Sequence, residues 1–268
     1  MFDESFDLPQ RFGGVWVEDA KSRLLQGSSG EEVSLNPYVG CAHACSYCYA
    51  ASYRFAPLPW GSVVRVKTGS VGELRRAWRW HNKPVRIGLL ADPYQPVEER
   101  IGLTRRVLET LSERPQFQPR QLTVMTRSPL VLRDIDIIKR FEAPCVQFSI
   151  TTDNDSVRRD FEPMCPSVDA RMGALKTLIE NGVPVIASLS PLLPLKDAET
   201  FARSLKDIGV SKFYIDPFNP RGLTMPIVPN KSFTPDSVSP LLEKYGWTLQ
   251  SYVGDMDVLK CVLGHDVI

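Results

Sequence analysis

Short apolar runs rich in β-branched residues alternate along this chain with longer amphipathic stretches, and that order leaves few architectures open. Strands are expected over residues 33–37, 85–90, 122–126, 145–150, 183–189 and 212–215, with a further short one at 63–67. Helical patterns lie between them, over 70–81, 103–113, 129–141, 167–181 and 198–208. Asn181-Gly182 and Ile208-Gly209 read as helix stops, each with glycine after the last apolar turn. Repeated βα units require a parallel sheet with right-handed crossovers. Because no dinucleotide-type glycine fingerprint is present, a barrel or partial barrel is favoured over a doubly wound sheet. Either arrangement puts the active site on loops that follow the carboxyl ends of the strands.

The chain has 268 residues, of which 43% are hydrophobic, enough to bury a core without covalent staples. Lys and Arg number 32 against 31 Asp and Glu, so the net charge of +1 gives no global electrostatic case for nucleic-acid binding. No apolar run reaches transmembrane length and no amino-terminal targeting segment is visible, which together point to the cytoplasm. The expected organisation is an N-terminal extension over 1–30, a core barrel over 31–220 and a C-terminal capping extension over 221–268.

Three cysteines crowd into the eight residues Cys41-Ala-His-Ala-Cys45-Ser-Tyr-Cys48. They follow the extended run Val33-Ser-Leu-Asn-Pro-Tyr-Val-Gly40 and precede the helix-compatible Tyr49-Ala-Ala-Ser-Tyr-Arg-Phe55, which places them on the loop after a strand. A structural zinc site takes four protein ligands, as do clusters used only for electron transfer, so a lone triplet leaves one metal corner open. Zinc would need His43 as a fourth ligand, in a C-x-H-x-C geometry that strains a tetrahedral site. A disulfide framework does not suit six cysteines in a chain of this length without a secretory signal. The other three, Cys145, Cys165 and Cys261, are scattered and form no second cluster motif.

The C-x3-C-x2-C spacing, with Tyr47 as the aromatic before the last cysteine, resembles the radical S-adenosylmethionine (radical SAM) superfamily. More narrowly, the stretch from Asn36 to Ala50, the strings Asp92-Pro-Tyr-Gln-Pro-Val-Glu98 and Leu103-Thr-Arg105, Ser149-Ile-Thr-Thr-Asp153 and Phe161-Glu-Pro-Met-Cys-Pro-Ser167 are similar to its spore photoproduct lyase-related branch. The resemblance implies a partial (β/α)6 TIM-like barrel and a 4Fe–4S cluster ligated by Cys41, Cys45 and Cys48. It also implies S-adenosylmethionine on the fourth iron, a flavodoxin- or ferredoxin-type electron donor, and a 5′-deoxyadenosyl radical that abstracts hydrogen from an unidentified substrate.

Further residues are expected to hold the cosubstrate. Asp92 faces its amino group and Arg127 its carboxylate, while Tyr47 packs near adenine. Ser149 and Thr151, sharing a strand face, bond the ribose or carboxylate. Asp216 and Asn219 offer polar contacts to adenosine or substrate, Ser188-Leu-Ser-Pro-Leu-Leu-Pro194 lines the adenine pocket, and the Glu162-Pro163 loop holds substrate. Arg133 and Asp134 read as a local ion pair.

The alternative function is repair of a DNA lesion, and behind it a non-enzymatic iron–sulfur or zinc protein. The lyases of this branch resemble one another in a hydrogen-donating cysteine near the second-strand loop, whereas Leu89-Leu-Ala-Asp-Pro93 contains none. Cys165 and Cys261 are the thiols left to return hydrogen to a product radical. The segment Glu73-Leu-Arg-Arg-Ala-Trp-Arg-Trp-His81 interleaves cations with aromatics as nucleic-acid binders do, but its spacing equally describes an amphipathic barrel helix.

Overall fold

A computed structural model describes residues 11–20, 25–26, 32–76, 82–113, 118–215, 244–245 and 249–263. The chain divides into two units, Met1–His43 with Phe55–Val146, and Ala44–Arg54 with Gln147–Ile268.

The first unit contains strands β1 (Arg11–Phe12), β2 (Val15–Asp19), β3 (Leu25–Gln26), β4 (Val33–Leu35), β5 (Tyr38–Val39), β6 (Val63–Val66), β7 (Pro84–Ile87) and β8 (Gln121–Thr126). β4, β7 and β8 run parallel, in register from Val33 against Val85 and from Val85 against Leu122, with β3 antiparallel outside β4. Val33, Leu35, Val85, Ile87, Leu122 and Val124, alternate residues that share one face of the sheet, are buried, while Ser34 and Arg86 on the other face are half-buried. Among its described residues the unit also has helices α1 (Ser70–Arg76), α2 (Glu98–Ile101), α3 (Leu103–Ser112) and α4 (Ile135–Ile138). Leu103, Val107, Leu108 and Leu111 form one apolar face of α3, which packs with α1, where Leu74 is fully buried.

Three sequence expectations change here. The short strand at 63–67 exists as β6, but it belongs to a separate sheet of order β1-β2-β6-β5, parallel to β2 and antiparallel to β5. The strand expected to reach residue 90 stops at Ile87. Gly88 follows at φ +96°, and a Cβ there would meet Pro93 Cδ at 2.5 Å and the Met125 carbonyl at 2.6 Å, so only glycine lets the chain turn so close to β8. Residues 129–141 do not form one helix: a 3-10 segment, Pro129–Asp134, precedes the short α4. Ser128 caps that segment by accepting the Leu130 N–H, and proline at its start suits a position that needs no donor.

In the second unit, β9 (Pro144–Ser149), within which the division falls, is followed in sheet order by β10 (Val185–Leu189) and β11 (Phe213–Ile215). β10 and β11 are parallel, Ala187 opposite Phe213. Among the described residues its helices include α5 (Asp155–Phe161), α6 (Val168–Glu180), α7 (Ala198–Asp207) and α8 (Leu249–Leu263). Asn154, Ser167 and Asp197 cap the first three by accepting N–H groups from Ser156, Ala170 and Thr200. α7 buries Ala198, Phe201, Ala202 and Leu205 and packs against α8, where Leu259 is fully buried. α5 is an element the sequence pattern did not suggest, because seven residues hold too few apolar turns to show a period. Among the described residues no helix is long and apolar enough to cross a membrane.

Candidate functional site

The cysteine loop begins in the first unit. After β5 the chain turns at Gly40, φ +86°, where a Cβ would lie 2.4 Å from the Val63 carbonyl and 2.6 Å from Pro57 Cγ. Cys41 follows and is buried. Gln95, itself fully buried, accepts the Ala42 N–H on Oε1 at 2.7 Å and donates from Nε2 to the Gly40 carbonyl at 3.2 Å. One amide thus holds the backbone on both sides of Cys41.

The loop that supplies Gln95 is fastened in turn. Asp92 Oδ1 accepts from the Tyr94 N–H at 2.8 Å and Thr126 Oγ1 at 2.7 Å, and Oδ2 accepts from the Arg127 N–H at 2.9 Å. His43 Nε2 stands 3.4 Å from the same Oδ2. Burial pushes the Asp92 carboxyl up, but His43, Thr126 and Arg127 outweigh it and hold the group below the ordinary aspartate value. Glu98, at 0% exposure, accepts from the Thr104 N–H at 3.0 Å, from Arg133 at 2.6 Å and from the Tyr38 hydroxyl. Its carboxyl is raised by burial, against those hydrogen bonds. Asp134, equally buried, receives Tyr94 Oη at 2.9 Å, Arg133 at 2.9 Å and Arg105 at 2.8 Å. Thr104 Oγ1 donates to the Pro93 carbonyl at 2.6 Å. The D-P-Y-Q-P-x-E and L-T-R strings therefore form a buried polar buttress behind the loop, in which nearly every side chain is spent on the protein itself.

The rest of the loop is organised in the second unit. Cys45 is buried, and Ser46 donates its N–H to the Phe161 carbonyl at 2.8 Å. Tyr47 packs on the cluster of Val157, Phe161 and Leu193, and its hydroxyl donates to the Glu162 carboxylate. Thr151 Oγ1 donates to the same carboxylate at 2.7 Å, and Arg171 Nη2 lies 2.8 Å from its other oxygen. Thr151, Glu162 and Arg171 are all at 0% exposure. Arg171 occupies the apolar face of α6 defined by Val168, Leu175 and Leu178. Cys165 Sγ lies 3.6 Å from Cys45 Sγ, both buried, and Arg158 donates to the Cys165 carbonyl at 3.1 Å.

Several expected site residues take other positions. Glu162, expected to hold substrate, is sealed in the protein by Tyr47, Thr151 and Arg171. Thr151 lies past the end of β9 and bonds Glu162, so it shares no strand face with Ser149, which ends the strand half-buried. Arg127 follows β8, half-buried, and Arg133 pairs with Asp134 as expected. Cys145 is half-buried in β9, and Cys261 is exposed on α8. Asp216 and Asn219, with residues 77–81 of the Arg/Trp segment, lie outside the described residues. Sequence reasoning did not assign roles to Gln95, Glu98 or Arg171. A cation in the middle of an apolar helical face was the available sign for Arg171, since such a charge needs a buried partner.

The radical SAM superfamily matches residues 35–208, which contain the cysteine loop, the buttress behind it and the Glu162–Arg171 pair. An uncharacterised protein of Methanocaldococcus jannaschii is 35% identical over 170 residues, covering 62% of each chain. A second, from Acidianus two-tailed virus, is 29% identical over 226 residues, 74% of this chain and 72% of the relative. Among solved structures, spore photoproduct lyase complexed with dinucleoside spore photoproduct superposes with a TM-score of 0.56 at 17% identity, covering 74% of this chain and 60% of that one. A radical S-adenosylmethionine methyltransferase of Kitasatospora setae, bound to tryptophan and a SAM analogue, gives 0.56 at 11% identity over 89% of this chain and 54% of its own. The chain thus spans less than two thirds of the archaeal relative and of either solved protein. At these identities the structures share the fold, an α/β partial barrel of the radical SAM type.

Proposed function

Because the chain belongs to the radical SAM superfamily, we propose that Cys41, Cys45 and Cys48 ligate the 4Fe–4S cluster that members carry and leave one iron to S-adenosylmethionine. The donor set suits that group: three soft thiol ligands lie on eight consecutive residues, the first two buried, with both peptide units around Cys41 already fixed. That clamped C-x3-C-x2-C loop is the observation that carries the reading. When bound, the cluster supplies the electron that cleaves S-adenosylmethionine to methionine and a 5′-deoxyadenosyl radical able to take hydrogen from a substrate.

The protein's own residues then position and shield. Gln95 keeps Cys41 in place, and the Tyr47–Glu162 bond keeps the segment between Cys45 and Cys48 in place. Such support fixes ligand geometry as outer-shell partners do around other metals. Arg127 is the candidate partner of the methionine carboxylate, and Ser149 a further hydroxyl contact. Asp92, whose two oxygens are both engaged within the first unit, serves as a positioning residue for His43 and the Arg127 backbone in place of the amino-group contact its sequence position suggests. Of the two thiols considered as hydrogen donors, Cys165 is the one placed beside the loop. The reductant is a flavodoxin- or ferredoxin-type protein, and the setting a reducing cytoplasm.

Anaerobic reconstitution, with iron and sulfide counted and 5′-deoxyadenosine assayed after dithionite, tests the reading. About four irons per chain and product formation, both lost in Cys45→Ala, are expected. A loaded, reduced sample that leaves S-adenosylmethionine intact would defeat it. For the substrate, a nucleic-acid lesion is the class favoured by the fold shared with the lyase–dinucleoside complex. It calls for DNA binding that weakens steeply with salt and for lesion-dependent 5′-deoxyadenosine formation.

A further inference from the structure

We infer that Cys45 and Cys165 form a reversible disulfide when the loop carries no cluster, making this pair an oxidation site that governs cluster loading; the second half of this statement rests on the proposal that Cys45 is a ligand. The two sulfurs are 3.6 Å apart although 120 residues separate them in sequence, and both side chains are buried. A disulfide bond is about 2.0 Å long, so closure needs roughly 1.5 Å of approach between the two sulfurs.

Both partners are held for the encounter. On one side, the Ser46 N–H bonds the Phe161 carbonyl at 2.8 Å and the Cys48 N–H bonds the Cys45 carbonyl at 3.2 Å. On the other, the Cys165 N–H bonds the Glu162 carbonyl at 3.0 Å, and its own carbonyl accepts from Arg158 at 3.1 Å. Arg158 is fixed by two 3.0 Å bonds to Asp155, which also takes the Val168 N–H at 3.2 Å. The second cysteine therefore sits in a turn pinned from α5 and from the start of α6.

The chemistry is thiol–disulfide exchange with a low-molecular-weight disulfide such as oxidised glutathione. One cysteine, as thiolate, attacks a sulfur of glutathione disulfide and expels glutathione thiolate, leaving a mixed disulfide. The other thiolate then attacks the protein sulfur and expels the second glutathione. Two protein thiols become one disulfide, and one glutathione disulfide becomes two glutathione thiols. The oxidised loop has lost one of its three proposed ligands and regains it only on reduction.

The full chain, prepared without iron, would be treated with oxidised glutathione, alkylated and digested without reductant for mass spectrometry. The expected result is a peptide joining Cys45 to Cys165, a loss of two alkylatable thiols, and recovery of both with dithiothreitol. In Cys165→Ser and Cys165→Ala the cross-link is absent. Wild-type protein oxidised in this way should take up iron at least five-fold less than its reduced form, and both variants equally before and after treatment. Stable mixed glutathione adducts without the cross-link, or pairing of Cys45 with Cys41 or Cys48 in equal yield, would overturn the inference. Cross-link formation in a protein that never assembles a cluster would instead defeat the ligand assignment and leave the thiol pair standing.

Discussion

Gln95 accepts the Ala42 N–H at 2.7 Å from a position that is fully buried, and the same amide reaches the Gly40 carbonyl at 3.2 Å. Replacing it with leucine keeps the volume but strands one buried donor and one buried acceptor, each at a cost of about 1–3 kcal/mol. Gln95→Leu is therefore expected to lower the urea midpoint and, more tellingly, to retain fewer irons per chain after desalting than wild type. Equal iron retention would show that the Cys41 backbone does not depend on this clamp.

Glu162 and Arg171 form an ion pair at 2.8 Å with both side chains fully buried. Removing either partner leaves a charge inside the protein, a loss of roughly 3–5 kcal/mol, whereas replacing both with apolar groups of similar size is often near neutral. Arg171→Met alone should destabilise strongly, and Glu162→Leu with Arg171→Met should recover only part of that loss in chemical unfolding, because the buried Thr151 hydroxyl loses its acceptor with Glu162. The double variant also frees the Tyr47 hydroxyl from its acceptor, so it should still hold the cluster less firmly than wild type. A double variant with wild-type iron retention would remove Tyr47 from the supports of the loop.

These two relationships mark where sequence reading stopped. Apolar strand and helix periods are local, and they placed β4, β7, β8, β9, β10 and β11 to within a few residues. The cysteine triplet was legible because its spacing is itself the chemistry. What periodicity does not carry is the partner of a buried polar side chain. Gln95 pairs with a backbone 53 positions away and Tyr47 with an acid 115 positions away. The motif strings around Asp92 and Glu162 were visible, but a carboxylate that faces a ligand and one that braces the protein are written with the same letter. Only their surroundings, such as the four groups around Asp92, tell them apart. The 3-10 turn at Pro129–Asp134 escaped for a related reason, since Asp134 is drawn inward to Tyr94, Arg105 and Arg133 and not outward as a helical period would have it.

Arg127 tests the cosubstrate assignment. A charge-assisted hydrogen bond to a carboxylate contributes about 1.5–3 kcal/mol, which corresponds to a ten- to hundred-fold change in affinity. Arg127→Gln should weaken S-adenosylmethionine binding by that factor, measured by calorimetry on the loaded protein, while iron content stays constant. Its backbone N–H, which holds Asp92, survives the substitution, so the buttress should be untouched. Unchanged affinity would take Arg127 out of the site.

Asp155 links acidity to the turn that holds Cys165. The Arg158 hydrogen bond, opposed by partial burial and aided by the Val168 N–H, lowers its pKa from 3.8 to about 2. A carboxyl whose folded pKa is depressed stabilises the fold above its unfolded pKa, and that contribution fades as pH falls from about 4 to about 2. The side chain is 36% exposed, so solvent screening cuts the contribution to on the order of 1 kcal/mol. Unfolding free energy measured across this window should drop less steeply in Asp155→Asn than in wild type, by about that amount. The same variant weakens the two-point hold on Arg158 and with it the bond to the Cys165 carbonyl, so alkylation of Cys165 at neutral pH should become faster. Parallel pH profiles with an unchanged alkylation rate would mean that Asp155 carries neither the acid sensitivity nor the geometry of the turn.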